Sequence, residues 1–348
     1  MNNHAELAPE IDGRTVLVTG GTGSFGQKFV QALIERYHPR RVVIFSRDEL
    51  KQAEMREREE FANAPNLRFF IGDVRDQERL EMAFRGVDIV VHAAAMKQVP
   101  TAEYNPFECI RTNVHGAENV VRAAMRAGVR RVIALSTDKA ANPANLYGAS
   151  KLASDKIFIA AKWLVGGNEN PLFAIVRYGN VVGSRGSVVP LYRRLIASGA
   201  PALPITDPRM TRFWITLRQG VDFVLSSLPM MRGGEIFVPK IPSMRVIDLA
   251  RVMAPHMKTR ITGIRPGEKL HEVLITEEDS RLTLDLPDRY VVRPSLYGEE
   301  RHYDAGERTA PDGFSFASNT NDDWLSDERF AKLLAETEAG ADANVRAR

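Results

Sequence analysis

Apolar and polar positions along the first half of this chain follow two periods that take turns. Short β-branched or apolar runs at Thr15–Thr19, Arg41–Phe45, Leu67–Ile71, Val87–His92, Arg131–Leu135 and Leu172–Val176 read as strands. Between them lie segments of helical period. Ser24–Tyr37 carries Phe25, Phe29, Ala32 and Leu33 on one side, and Asp48–Ala62 is a charged helix. Gln77–Phe84, Cys109–Ala127 and Asn145–Trp163 complete the set. Repeated strand–helix–strand units demand a parallel sheet covered on both faces, with right-handed crossovers. The predicted class is therefore α/β, a doubly wound parallel sheet, whose ligands sit beyond the carboxyl ends of the strands.

After Gly183 the pattern loosens. Pro201, Pro204, Pro208, Pro239, Pro242 and Pro266 punctuate short elements, which predicts a smaller α+β domain over residues 184–330 beside an N-terminal domain over 1–183. The apolar helix Gln219–Leu228 predicts that residues 218–232 return to the main sheet. Residues from Gly298 are turn-rich and charged, and 331–348 are expected to be a flexible tail.

Composition narrows the classes of partner. The chain has 348 residues, 44% hydrophobic and 26% charged, as in an ordinary globular protein. Its 47 basic and 44 acidic residues leave a net charge of +3, too balanced to imply a nucleic-acid partner. Cys109 is the only cysteine, which excludes an intrachain disulfide and a zinc–thiolate cluster and predicts a buried helical thiol. Met1–Asp12 lacks the apolar core of a signal peptide, and no window approaches the ~18 apolar residues of a membrane span. The expected location is the cytoplasm.

The first strand runs into Thr19-Gly20-Gly21-Thr22-Gly23-Ser24-Phe25-Gly26 and then a helix. Glycines at 20, 23 and 26 let the backbone turn, approach a pyrophosphate and seat the helix against the sheet. The helix N-terminus adds N–H donors and partial positive charge. This loop predicts a dinucleotide. At the end of the second strand, where a carboxylate usually accepts from an NAD ribose, stand Ser46 and Arg47, with Lys51 a turn later. A hydroxyl, a guanidinium and an ammonium suit a 2′-phosphate, so NADP is expected over NAD, although Asp48 and Glu49 offer a free ribose its acceptors. Asp73 and Val74 after the third strand are expected at the adenine, and Ala93, Ala94 and Ala95 after the fourth to line the cofactor. His92 reads as structural.

Candidate chemistry concentrates in two further motifs. Tyr147 and Lys151 stand at i and i+4, on one face of a helix. A lysine ammonium beside a phenol favours phenolate, so Tyr147 is expected to act as the base that removes a hydroxyl proton during hydride transfer. Thr137-Asp138-Lys139, closing the fifth strand, adds an acid and an amine that oxidation alone does not require.

Together these motifs resemble the extended short-chain dehydrogenase/reductases, a Rossmann-type fold. They are most similar to the inverting UDP-N-acetylglucosamine 4,6-dehydratases that begin pseudaminic acid synthesis. The resemblance runs from about Gly13 to Leu325 and rests on Ser136–Ala140, Leu146–Lys151, Met96–Pro100, Arg177–Val181, Arg212–Thr216 and Arg265–Lys269. Retaining relatives carry Asp-Glu where this chain has Asp138-Lys139, and membrane-anchored relatives commonly carry methionine at the position of Tyr147. The resemblance implies oxidation at carbon 4 of the sugar, loss of water across carbons 5 and 6, hydride return to carbon 6 and inversion at carbon 5. It implies Tyr147, tuned by Lys151, as base for the 4-hydroxyl, and Thr137 as its hydrogen-bond partner. Lys139, its pKa lowered toward neutrality, is implied as base for the carbon-5 proton, with Asp138 as acid for the leaving hydroxyl. NADP is recycled in each turnover. Val181 is implied at the cofactor. Lys97, Asn180, the loop Ser184-Arg185-Gly186-Ser187-Val188, Arg194, Arg265, Glu268 and Asn321 are implied at UDP-N-acetylglucosamine. Pairing through Cys109–Ala127 and Asn145–Trp163 implies a homo-oligomer. Two alternatives stay open: another nucleotide-sugar enzyme of this fold, either a retaining dehydratase or a 4-epimerase, or a non-catalytic NADP-binding regulator. An epimerase needs no eliminating acid and base, and a regulator is expected to lose Tyr147 or Lys151.

Overall fold

The computed structural model describes residues 4–166, 171–184, 186–294 and 308–342. Six strands from the first half, β1 (Thr15–Thr19), β2 (Arg41–Ser46), β3 (Leu67–Ile71), β4 (Ile89–His92), β5 (Arg131–Thr137) and β6 (Leu172–Tyr178), pair in the order β3-β2-β1-β4-β5-β6. Every pair among them is parallel. The order reverses between β1 and β4, the crevice where ligands of such sheets bind. β1 and β4 are buried along their whole length, as strands covered on both faces must be.

The sheet continues past β6. Strand Ile236–Pro239 joins β6 in parallel, and the helix before it, Leu217–Ser227, packs against helix Ser24–Arg36. An Arg36–Asp222 ion pair at 2.5 Å fastens the two helices. Beyond that strand the pairing changes. The expected parallel sheet thus forms the main part, and Arg289–Val292, Thr283–Asp285 and Arg308–Thr309 extend it in antiparallel sense. The apolar strand Ile-Phe-Val-Pro would otherwise present an open edge, and a returning hairpin covers it.

A second, smaller core gathers Val182, Tyr192, Leu203, Trp214, Leu249 and Phe330, all but Val182 from the chain after Gly183. Residues 331–342, expected to belong to a flexible tail, lie in helix Asp327–Asp342. Phe330 is its anchor, fully buried with its ring 5.7 Å from that of Trp214. At the other end, the polar stretch before Asp12 also forms a helix, His4–Ile11, and buries Leu7 and Ile11. No helix among the described residues is long and apolar enough to cross a membrane.

Candidate active site

Beyond the carboxyl end of β5, Thr137 caps a single 3-10 turn, Asp138–Ala140, its Oγ1 accepting from the Lys139 backbone N–H at 3.3 Å. Helix Leu146–Leu164 then starts at Asn145, whose Oδ1 accepts from Gly148 N–H at 2.8 Å. This cap sets Tyr147 in the first turn, because a side-chain acceptor there satisfies an otherwise orphan amide. The same Asn145 amide donates to the Gly267 carbonyl at 2.8 Å, tying the helix start to the C-terminal part of the chain. Gly148 lets the helix press onto the turn, since a Cβ there would fall 2.2 Å from the Lys139 carbonyl oxygen. Tyr147, Asp138 and Lys139 thereby line one cavity of about 640 Å³.

The glycine loop forms the other end of that cavity. Gly20 adopts φ +65°, and a Cβ on it would come within 2.9 Å of the Ala94 nitrogen. A Cβ on Gly26 would lie 2.5 Å from Gly21 Cα, so helix and loop meet at backbone distance. No side chain caps helix Ser24–Arg36 at Gly23. Its first-turn amides therefore face the cavity as donors for an anion, and the loop fits a dinucleotide pyrophosphate.

The expected cofactor residues Gly20, Thr22, Gly23, Ser24, Phe25, Gly26, Ser46, Arg47, Lys51, Asp73, Val74, Ala93, Ala94, Ala95, Lys151 and Val181 all line this cavity. So do Thr137, Lys97, Asn180, Ser184, Gly186 and Ser187. Arg185 lies outside the described residues. Val188, Arg194, Arg265, Glu268 and Asn321 are not among the lining residues. For Asn321 the reason is local: its amide donates to the Ile241 carbonyl at 2.9 Å and to Ser243 Oγ at 3.0 Å, so it staples a loop. Arg265 and Glu268 pair with each other at 3.2 Å, the arginine mostly exposed. The lining also includes Gln98, Thr112, Tyr178, Gly179 and Leu217, which sequence reasoning missed.

The electrostatics correct two expectations. Burial pushes the Tyr147 phenol up to about 12, and the leading cation opposing that rise is Lys139 rather than the Lys151 nominated by helical spacing. Lys151 is itself 3% exposed, and burial lowers its pKa against the pull of Asp155. For Lys139, burial favours the neutral amine, but the carboxylates of Asp138 and Glu272 prevail and raise its pKa. Its Nζ lies 3.1 Å from Asp138 Oδ1 and 3.3 Å from Glu272 Oε1. The shift is thus upward, opposite to the lowering toward neutrality that the resemblance implies.

Asp138 is fully buried. Its Oδ1 accepts from Thr137 Oγ1 at 2.8 Å and from Lys139, while Oδ2 has no hydrogen-bond partner. Burial raises its pKa, the direction that a proton donor needs. Glu272, 2% exposed, lies behind Lys139 and has Arg212 and Lys269 as further cations at 3.7 and 3.2 Å. Burial opposes its ionisation, yet these cations hold its carboxyl low. Nothing in the sequence flags Glu272, because it follows the Arg265–Lys269 motif without belonging to it and lies 133 positions from Lys139. His92, expected to be structural, is buried beside Thr19 Oγ1 at 2.8 Å, and burial drops its pKa to about 3.

Residues 16–294 match the family model described as polysaccharide biosynthesis protein. The chain belongs to this family, within the extended short-chain dehydrogenase/reductases. One family relative, from Campylobacter jejuni subsp. jejuni serotype O:2, is named UDP-N-acetylglucosamine 4,6-dehydratase (inverting). It is 54% identical over 332 residues, covering 93% of this chain and 98% of its own. Among solved structures, Pen from Bacillus thuringiensis superposes with a TM-score of 0.85 at 34% identity, over 94% of this chain and 99% of its own. DesIV from Streptomyces venezuelae, a dTDP-glucose 4,6-dehydratase solved with NAD and TYD bound, superposes with a TM-score of 0.66 at 26% identity. That match covers 74% of this chain and 86% of DesIV. This family member thus shares its fold with sugar-nucleotide dehydratases.

Proposed function

We propose that this protein is an inverting UDP-N-acetylglucosamine 4,6-dehydratase that works with a recycled nicotinamide dinucleotide and takes the first step toward pseudaminic acid. The observation that carries the reading is the pairing of buried Asp138 with half-buried Lys139, in one cavity with Tyr147 and the glycine loop. A 4-epimerase has no use for an acid and an amine at that place. The name of the 54%-identical Campylobacter relative supports the same assignment.

Held by the glycine loop, Arg47 and Lys51, a nicotinamide dinucleotide would supply the hydride acceptor for carbon 4 and the hydride donor for carbon 6. NADP is proposed over NAD on the strength of Arg47 and Lys51 at the cavity wall. The Asp48 carboxylate there is occupied, since it caps its helix and holds Lys51 Nζ at 2.5 Å. Tyr147, as the phenolate that the neighbouring Lys139 cation favours against burial, takes the 4-hydroxyl proton, and Thr137 steadies the same oxygen.

The Asp138–Lys139 pair holds what an elimination requires. Moving one proton from Lys139 Nζ to Asp138 Oδ1, across 3.1 Å, breaks an N–H bond and forms an O–H bond with no net change of charge. It converts an ammonium and a carboxylate into an amine and a carboxylic acid. The amine can then take the carbon-5 proton while the acid protonates the leaving 6-hydroxyl. Burial favours this exchange because it replaces two charges by none. The test is incubation of the purified protein with UDP-N-acetylglucosamine, followed by mass spectrometry. A product lighter by one water is expected; a 4-epimer without water loss refutes the reading.

A further inference from the structure

We propose that Glu272 is a positioning residue for the elimination: set behind Lys139, its carboxylate governs how many protons the Asp138–Lys139 pair holds. The inference deepens the dehydratase reading and rests on it. Glu272 precedes the short strand Val273–Ile275 and is fixed by its backbone, its N–H donating to Ser318 Oγ at 2.9 Å and its carbonyl accepting from Ser318 N–H at 2.8 Å. It is absent from the cavity wall, which Lys139 occupies in front of it. It therefore acts on the reaction through Lys139 and not by touching substrate.

The groups around this anion come from four parts of the chain. Lys139, with Asp138, arrives from the turn after β5. Arg212 arrives from strand Thr211–Ile215, and Lys269 from the same segment as Glu272. Tyr147 on helix Leu146–Leu164 feels the Lys139 charge, and His271 feels that of Arg212. Arg212 and Lys269 are committed elsewhere. Arg212 donates to the carbonyls of Thr211, Lys269 and Leu270, and Lys269 donates to Ala141 at 2.8 Å and Asp138 at 3.4 Å. Both hold the turn and the carboxylate, and neither lines the cavity.

A purely structural ion pair needs one carboxylate for Lys139, and Asp138 already supplies it. The second has a distinct electrical effect. It favours the ammonium of Lys139 by attraction and the protonated form of Asp138 by like-charge repulsion, so both members keep protons to higher pH. Removing that charge while keeping the shape must move both titrations the same way. Glu272→Gln does so, and Glu272→Asp restores the charge.

The experiment is the pH dependence of water loss from UDP-N-acetylglucosamine by wild type, E272Q and E272D. E272Q is expected to shift the midpoints of the profile to lower pH by about one unit or more. On the alkaline side this is a roughly tenfold loss in kcat, with KM changed less than about threefold. E272D is expected to return the midpoints toward wild type. An E272Q profile that scales uniformly onto the wild-type one overturns the role of Glu272, while a wild type that releases no water overturns the dehydratase reading beneath it.

Discussion

Lys139→Met tests the charge cluster most severely. Methionine keeps much of the stem but removes an ammonium lying 3.1 Å from Asp138 Oδ1 and 3.3 Å from Glu272 Oε1. With an effective dielectric constant of about 20, each attraction is worth about 5 kcal/mol before desolvation. Desolvation cancels much of this, and breaking a buried pair from one side costs about 3–5 kcal/mol net. The sign of the pH dependence follows. Without the ammonium, two buried carboxylates face each other, and their folded pKa values rise above the unfolded value of about 4. A raised carboxyl keeps its stability below the unfolded pKa and loses it as pH climbs through the folded one. Calorimetric unfolding should therefore show a gap between wild type and K139M that is small near pH ~5 and widens toward pH ~8. Water loss should be abolished. A gap that stays constant with pH refutes the shared-cation picture, and an active K139M removes Lys139 from the elimination.

Two further predictions concern the cofactor end of the cavity. Arg47→Asp should reverse the preference for NADP over NAD, weakening NADP by roughly tenfold to a hundredfold, the worth of a charge-assisted contact. Fluorescence titration with each dinucleotide measures it, and an unchanged ratio contradicts the assignment of the 2′-phosphate. Gly20→Ala forces a side chain to φ +65° and sets its Cβ 2.9 Å from the Ala94 nitrogen, so the loop must shift. Dinucleotide affinity should fall by about tenfold or more while the far-ultraviolet spectrum is retained; full affinity would place the pyrophosphate elsewhere.

Much of the first half of the fold was legible because its signals are local. β1 and β3 begin and end where the apolar runs do, and Leu146–Leu164 is displaced by one residue at each end from the pattern that predicts it. Where local signals mislead, the structure gives the cause. The single charged helix expected over 48–62 breaks at Arg58, which adopts extended backbone. The long helix through Cys109 contains a π-helical stretch, Arg111–His115, that places Asn113 where its amide donates to Ser150 Oγ and the Met96 carbonyl. The antiparallel edge and the helix anchored by Phe330 depend on contacts between segments far apart in sequence, which periodicity cannot register.

The site divides in the same way. The glycine loop, Arg47, Asp138-Lys139 and Tyr147 are contiguous motifs whose spacing carries their geometry. The charge state of Lys139 was not legible, since it depends on Glu272, which lies 133 positions further along the chain and closes on the turn only after folding. The proximity of Lys151 to Tyr147 in sequence likewise suggested a tuned phenol, whereas burial dominates that side chain.

The most direct measurement is the NMR spectrum of the product formed from UDP-N-acetylglucosamine in deuterium oxide. A 4-keto-6-deoxy sugar of L-arabino configuration, deuterated at carbon 5, is the predicted result. A D-configured product, or one that keeps its 6-hydroxyl, would contradict an eliminating Asp138–Lys139 pair that inverts carbon 5.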